Sequence, residues 1–191
     1  MKKFFILFFI LIIFSISSLA INFDIGMSIL TSNIENNFNM ALRTGINSEN
    51  FLLSFDFSPN FEDGISLISI TEISAKLIDF SEQIRLDMGI LWLNDQLFIP
   101  GETEDDEDIP VSSINLNLGI TYFIENFYGK LFIMYPLWGN FEETLDLTNY
   151  LALKVGYIVP KPQNFKDDLI VELRLSKYRI DLSLFLSTPI G

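Results

Sequence analysis

Residues 112–124 read Ser-Ser-Ile-Asn-Leu-Asn-Leu-Gly-Ile-Thr-Tyr-Phe-Ile. Ile114, Leu116, Leu118, Ile120, Tyr122 and Ile124 fall on even positions, while Asn115, Asn117, Gly119 and Thr121 fall between them. Side chains of an extended chain point alternately to two faces, so this stretch is a strand with one greasy and one wet face.

Working outward, the same strip recurs on both sides. The spacing predicts ten strands, at 21–31, 37–46, 50–58, 65–80, 84–93, 112–124, 127–135, 145–159, 169–175 and 178–187. Ile21, Phe23, Ile25, Met27 and Ile29 share a face in the first, and Leu151, Leu153, Val155, Tyr157 and Val159 share one in the eighth. Short connections at 47–50, 81–83 and 125–126 alternate with longer ones at 58–64, 95–110 and 136–143. The alternation then breaks, with a long connection at 160–167 and a tight one at 176–177. An even strand count returns both ends of the chain to one side, and the expected range is about 8–12 strands.

Segment 65–84 reads two ways. Ile70, Ile73, Leu77, Phe80 and Ile84 are spaced 3, 4, 3, 4, which is helical spacing. Read as a strand, Ile65, Leu67, Ile73, Ala75 and Leu77 share a face, but the other face carries Ile68, Ile70, Ile78 and Phe80 and is no longer polar. The many β-branched residues favour one long strand.

Composition narrows the class. Residues 1–20 have the form of a cleaved export signal: Lys2 and Lys3, an apolar run from Phe4 to Phe14, then Ser18-Leu19-Ala20 with small residues at the cleavage positions. Eleven apolar residues are short for a membrane-spanning helix, which needs about 20. The remainder, 21–191, is expected to be one domain. The chain has no cysteine and no histidine, which argues against zinc, haem and iron–sulfur sites and excludes Ser-His-Asp and Cys-His catalysis. Without the leader, 10 basic residues face 25 acidic ones, a balance that argues against nucleic acid.

Alternation alone does not say which face looks inward, since a soluble barrel alternates with its greasy face inside. The polar faces decide. A soluble surface is roughly a quarter to a third charged. Here those faces are mostly Asn, Ser, Thr, Gly and Ala with scattered single charges. The basic members Arg43, Lys76, Arg85, Lys130, Lys154 and Arg174 nearly balance the acidic members Asp24, Asp56, Glu72, Asp87, Asp146, Glu172 and Asp181. Near-balance is what a narrow polar lumen needs, because a buried charge must be paired. Trp92, Tyr122, Tyr135, Trp138, Tyr157 and Tyr178 lie at or near strand ends, where a membrane barrel carries aromatic girdles.

On strand pattern, length and leader, the chain over 21–191 resembles the small single-chain outer-membrane barrels of bacteria. The resemblance implies an all-β, antiparallel up-and-down β-barrel of about ten strands in the outer membrane, with a structural or narrow-pore role. It implies outer-membrane lipid, the barrel-assembly machinery and periplasmic chaperones as partners. The missing residue types and motifs, rather than the resemblance, lead to the expectation of no cofactor and no enzymatic activity. The alternative is an exported soluble barrel or sandwich in the periplasm holding an apolar ligand.

One cluster invites a chemical reading. Glu102, Glu104, Asp105, Asp106, Glu107 and Asp108 offer oxygen ligands to a hard cation such as Ca2+. The acids are contiguous and lack the glycine and alternating spacing of an EF-hand loop. The expectation is a solvated acidic loop with no metal. Glu142-Glu143 and Asp167-Asp168 are adjacent acids in turns rather than a glycosidase pair, and no phosphate-binding or nucleophile-elbow motif occurs.

Overall fold

The computed structural model describes residues 21–31, 38–60, 65–98, 111–139, 151–162, 164–176 and 179–190. The leader, the acidic loop at 102–108, Glu142-Glu143, Asp146 and Tyr178 lie outside the described residues.

Ten strands form: β1 Ile21–Thr31, β2 Phe38–Ser48, β3 Phe51–Asn60, β4 Ile65–Asp79, β5 Ile84–Phe98, β6 Val111–Ile124, β7 Phe127–Gly139, β8 Leu151–Val159, β9 Asp168–Ser176 and β10 Ile180–Ile190. Each pairs antiparallel with its sequence neighbours, and β1 closes the ring against β10 in the register Ile25↔Leu186 and Ile21↔Ile190. This is a closed up-and-down barrel, in which no strand is left with an unpaired edge. Ile21 and Ile190 lie at one end, with the turns at Glu49-Asn50, 80–83 and Glu125-Asn126; we call it the turn end. In the two-residue turn between β6 and β7, Glu125 takes a φ of 49°, a left-handed conformation that costs a non-glycine residue roughly 1–2 kcal/mol.

Segment 65–84 contains no helix. β4 runs to Asp79, and its register against β5 slips between Lys76 and Ile78, so that Leu77 is the extra residue of a bulge. The slip changes the face of everything after it. Ile78 is exposed on the outer face, while Ile68 and Ile70, before the bulge, are buried inside. Several strands also run further than their alternation suggests: β5 to Phe98, β7 to Gly139 and β10 to Ile190. Pro136 sits within β7 beside a second register slip, at a place where a strand tolerates proline. β8 begins at Leu151, and positions 145–150 lie outside the described residues.

The faces are sorted in one sense all round the ring. Ile25, Met27, Leu118, Ile120, Leu131, Leu153, Leu182 and Leu184 are exposed on the outside. Their neighbours one residue away, among them Asp24, Ser28, Asn117, Lys130, Lys154 and Ser183, are buried within. Trp92, Tyr135 and Trp138 stand outward away from the turn end, and Tyr122 and Phe127 stand outward close to it. The described apolar surface is therefore the outer surface, the reverse of a water-soluble barrel.

The charged lumen as candidate functional site

The strand period of two places the inward charges in rungs. Along one rung, Arg85 on β5 stands beside Thr121 on β6, then Lys130 on β7, Lys154 on β8, Arg174 on β9 and Asp181 on β10. Lys130, Lys154 and Arg174 are direct cross-strand neighbours, and like charges in that position repel. The compensation comes from across the barrel. Glu72, on β4, accepts hydrogen bonds from Lys154 Nζ at 2.5 Å and Arg174 Nη2 at 2.8 Å, both on Oε2. Its Oε1 lies 3.7 Å from Lys130 Nζ. One fully buried carboxylate thus holds three cations together.

A second cluster interlocks with the first. Arg43 Nη1 meets Asp56 Oδ2 at 3.3 Å, and its Nη2 meets Glu172 Oε1 at 3.2 Å. Lys154 also stands 3.7 Å from Glu172. Ser28 Oγ lies 2.5 Å from Asp56 Oδ1 and 2.8 Å from Ser183 Oγ. Tyr128 Oη donates to Glu172 Oε2 at 2.6 Å. Asp87 takes Arg85 Nε at 2.7 Å, is hydrogen-bonded by Thr121, and stands 4.0 Å from Lys130. Removing one partner of a buried pair of this kind costs about 3–5 kcal/mol, because the other charge is left uncompensated.

Three inward aromatic rings lean on glycines of the next strand. Phe185 faces Gly26, Phe132 faces Gly119 and Tyr128 faces Gly156. A Cβ at Gly156 would lie 2.0 Å from Tyr128 Cζ, so the ring fits only over a residue without a side chain. Cations cap two of these rings: Arg43 lies 4.2 Å above the Phe185 centroid, and Lys130 stands 5.6 Å from that of Phe132.

The sequence-predicted charges thus meet unevenly. Arg43, Asp56, Glu72, Arg85, Asp87, Lys130, Lys154, Glu172 and Arg174 form one connected knot. Lys76 lies apart, near the turn end, paired with Asp79 at 2.8 Å and Glu49 at 3.4 Å. Asp181 pairs with Arg179 at 3.6 Å and accepts the Thr31 amide at 3.3 Å. Asp24 is hydrogen-bonded by Asn47 Nδ2 at 2.6 Å. Sequence reading missed Arg179, Tyr128, Ser28, Asn47 and Ser183. Arg179 and Tyr128 share strand parity with Asp181 and Lys130, and that parity was the available signal.

The lumen differs above and below the knot. Away from the turn end, one inward position further along β2, β4, β7 and β8, the residues are apolar: Ile70 follows Glu72, Phe132 follows Lys130, Ala152 follows Lys154 and Ala41 follows Arg43. With Leu30, Ile68, Leu91 and Met134 they make a dry cluster across the barrel. Towards the turn end the knot borders a cavity of about 240 Å3 that reaches Glu49 and Asn50 in the turn.

No protein-family model matches the chain, and no curated protein sequence matches it. Among solved structures it is similar to the outer membrane phospholipase A from Escherichia coli, at 11% identity and a TM-score of 0.40, over 91% of this chain and 92% of that one.

Proposed function

We propose that this chain is a closed, non-enzymatic barrel of the bacterial outer membrane, with its turn end in the periplasm and a structural role. The observation that carries the reading is the sorting of faces: apolar side chains outside, paired charges inside, on a ring without an edge. Lipid is the solvent in which that arrangement is stable, because the closed ring gives each strand a hydrogen-bonded neighbour on both sides and the apolar surface needs no further cover. β1, β2, β3 and β10 span ten or eleven residues, the length of a tilted strand across a bilayer (about 9–11). Barrels of this size are filled by side chains, and the knot and the dry cluster do the filling. The absence of histidine and cysteine supports the non-enzymatic reading, since the chain lacks the usual base and thiol for acyl transfer. Outer-membrane lipid, the assembly machinery and periplasmic chaperones are the partners this reading requires.

Adjacent positions on β8 provide the test. Lys154 is a native charge facing the lumen, while Leu153 faces outward. Arginine on the lipid face of a barrel costs about 2–4 kcal/mol near the membrane centre. Leu153→Arg is expected to remove the protein from the detergent-extracted outer-membrane fraction, where the parent chain is expected to reside. Release of the parent chain by osmotic shock, or unchanged insertion of Leu153→Arg, would overturn the reading.

A further inference from the structure

The cavity at the turn end is a dead end: the knot and the dry cluster close it from above. Its walls are not uniformly satisfied. Asp24, on β1, is 1% exposed and lines the cavity. Among the described residues it is the one buried carboxylate without a cation within 4.0 Å, although Asp56, Glu72, Asp87, Glu172 and Asp181 all have one. Its Oδ2 has no hydrogen-bond partner. Lys130, on β7, lines the same cavity, and its carboxylates stand at 3.7 and 4.0 Å, beyond hydrogen-bonding distance. β1 and β7 are four strands apart round a ring of ten, so the two groups come from nearly opposite walls. Phe123, Tyr128 and Phe185 line the same cavity and supply apolar surface. The volume, about 240 Å3, is slightly below the usual range for ligand pockets (roughly 300–1,000 Å3), which restricts the occupant to a small solute.

We infer that this cavity binds a small zwitterion, with an ammonium group on Asp24 and a carboxylate on Lys130. Each end then completes a charge that the fold has buried and left short of a close partner, which is the condition under which burial is costly. The match of one acid without a cation and one loosely held base selects a solute carrying both charges over one carrying either alone. Closure above keeps the solute from passing through, so the site binds from the turn end and does not conduct. Entry from the periplasm rests on the orientation proposed above; binding itself does not, and is measured on purified protein.

The experiment is calorimetric titration of the detergent-solubilised barrel with glycine, β-alanine and 4-aminobutyrate. Acetate and methylammonium serve as single-charge controls. At least one zwitterion is expected to bind at least tenfold more tightly than either control. Asp24→Asn and Lys130→Gln are each expected to weaken that binding at least tenfold. Binding of acetate equal to the best zwitterion would reduce the site to an anion site, and absence of any zwitterion binding would remove it; both overturn the inference. The comparison of solutes on the parent protein needs no variant to fold. For the variants, the mobility shift between unheated and heated samples reports whether the barrel has formed, and Lys130→Arg is expected to retain binding.

Discussion

The two halves of the lumen are made by the same strands and have opposite characters. On β4, Glu72 enters the knot and Ile70 enters the dry cluster; on β7, Lys130 and Phe132 divide in the same way. A step of one inward position, about 7 Å along a strand, separates a charged layer from an apolar one. The charged knot is held by specific partners drawn from opposite walls, the apolar cluster by packing among its own side chains. In the lipid setting proposed above, the outer face cannot supply cohesion, since the surrounding acyl chains are as apolar as the side chains they touch. Its interior must supply what a hydrophobic core supplies in water, and here two unlike layers share that task.

The largest effect is expected where the charged layer is broken at its hub. Glu72→Gln removes the one carboxylate shared by Lys130, Lys154 and Arg174 and leaves three adjacent cations facing one another. The loss is expected to be about 3–5 kcal/mol, read as a lower midpoint in urea unfolding from detergent or vesicles. In a planar bilayer the same variant is expected to remain non-conducting, because the dry layer still seals the lumen. A stable conductance step in Glu72→Gln would show that the knot, and not the apolar layer, is the seal.

The apolar layer is expected to yield somewhat less. Ile70 is 0% exposed and belongs to the cluster. Ile70→Ala is expected to cost about 2–4 kcal/mol through lost transfer energy and the cavity left behind, in the same unfolding assay. An effect under about 1 kcal/mol would mean that the layer is loosely packed or wet, and the contrast between the two halves would fail.

The distinction between outer and inner faces was legible in the sequence wherever alternation is uninterrupted, as at 112–124. The balanced list of inward charges came from the same period of two. Segment 65–84 resisted because three things overlap in it. Ile70 belongs to the dry layer inside, Ile73 to the outer face, and Leu77 is the bulged residue; read together, they mimic a helix. A bulge is one inserted residue, and a single sequence offers no local mark of it. Pairing within the knot was legible only in part. Arg43 and Asp56 are register partners across the β2–β3 hairpin, so short-range geometry brings them together. Glu72 reaches β8 and β9 across the closed ring, and only closure and strand count determine which residues face one another there. The dry layer was not legible at all, because Ile68, Ile70, Leu91 and Phe132 look like breaks in the polar face until they are seen to pack together in one cluster.

The smallest effect tests the boundary between the halves, and has the opposite sign. Asn117 points into the lumen from β6, paired in register with Gly89 and Met134. It is 1% exposed, and neither Oδ1 nor Nδ2 has a hydrogen-bond partner among the described residues. Met134, its neighbour on β7, belongs to the dry cluster. A buried amide without partners costs roughly 1–3 kcal/mol of desolvation, and an apolar residue of similar shape removes that cost. Asn117→Leu is therefore expected to raise the unfolding midpoint by an amount equivalent to about 1 kcal/mol, net of some overpacking against Met134. It extends the dry layer by one position without touching any ion pair, so the knot should be undisturbed and solute binding at the turn end unchanged. A destabilised Asn117→Leu would mean that the amide has a partner, such as an ordered water, and that the wet half of the lumen reaches one rung further than the dry cluster suggests.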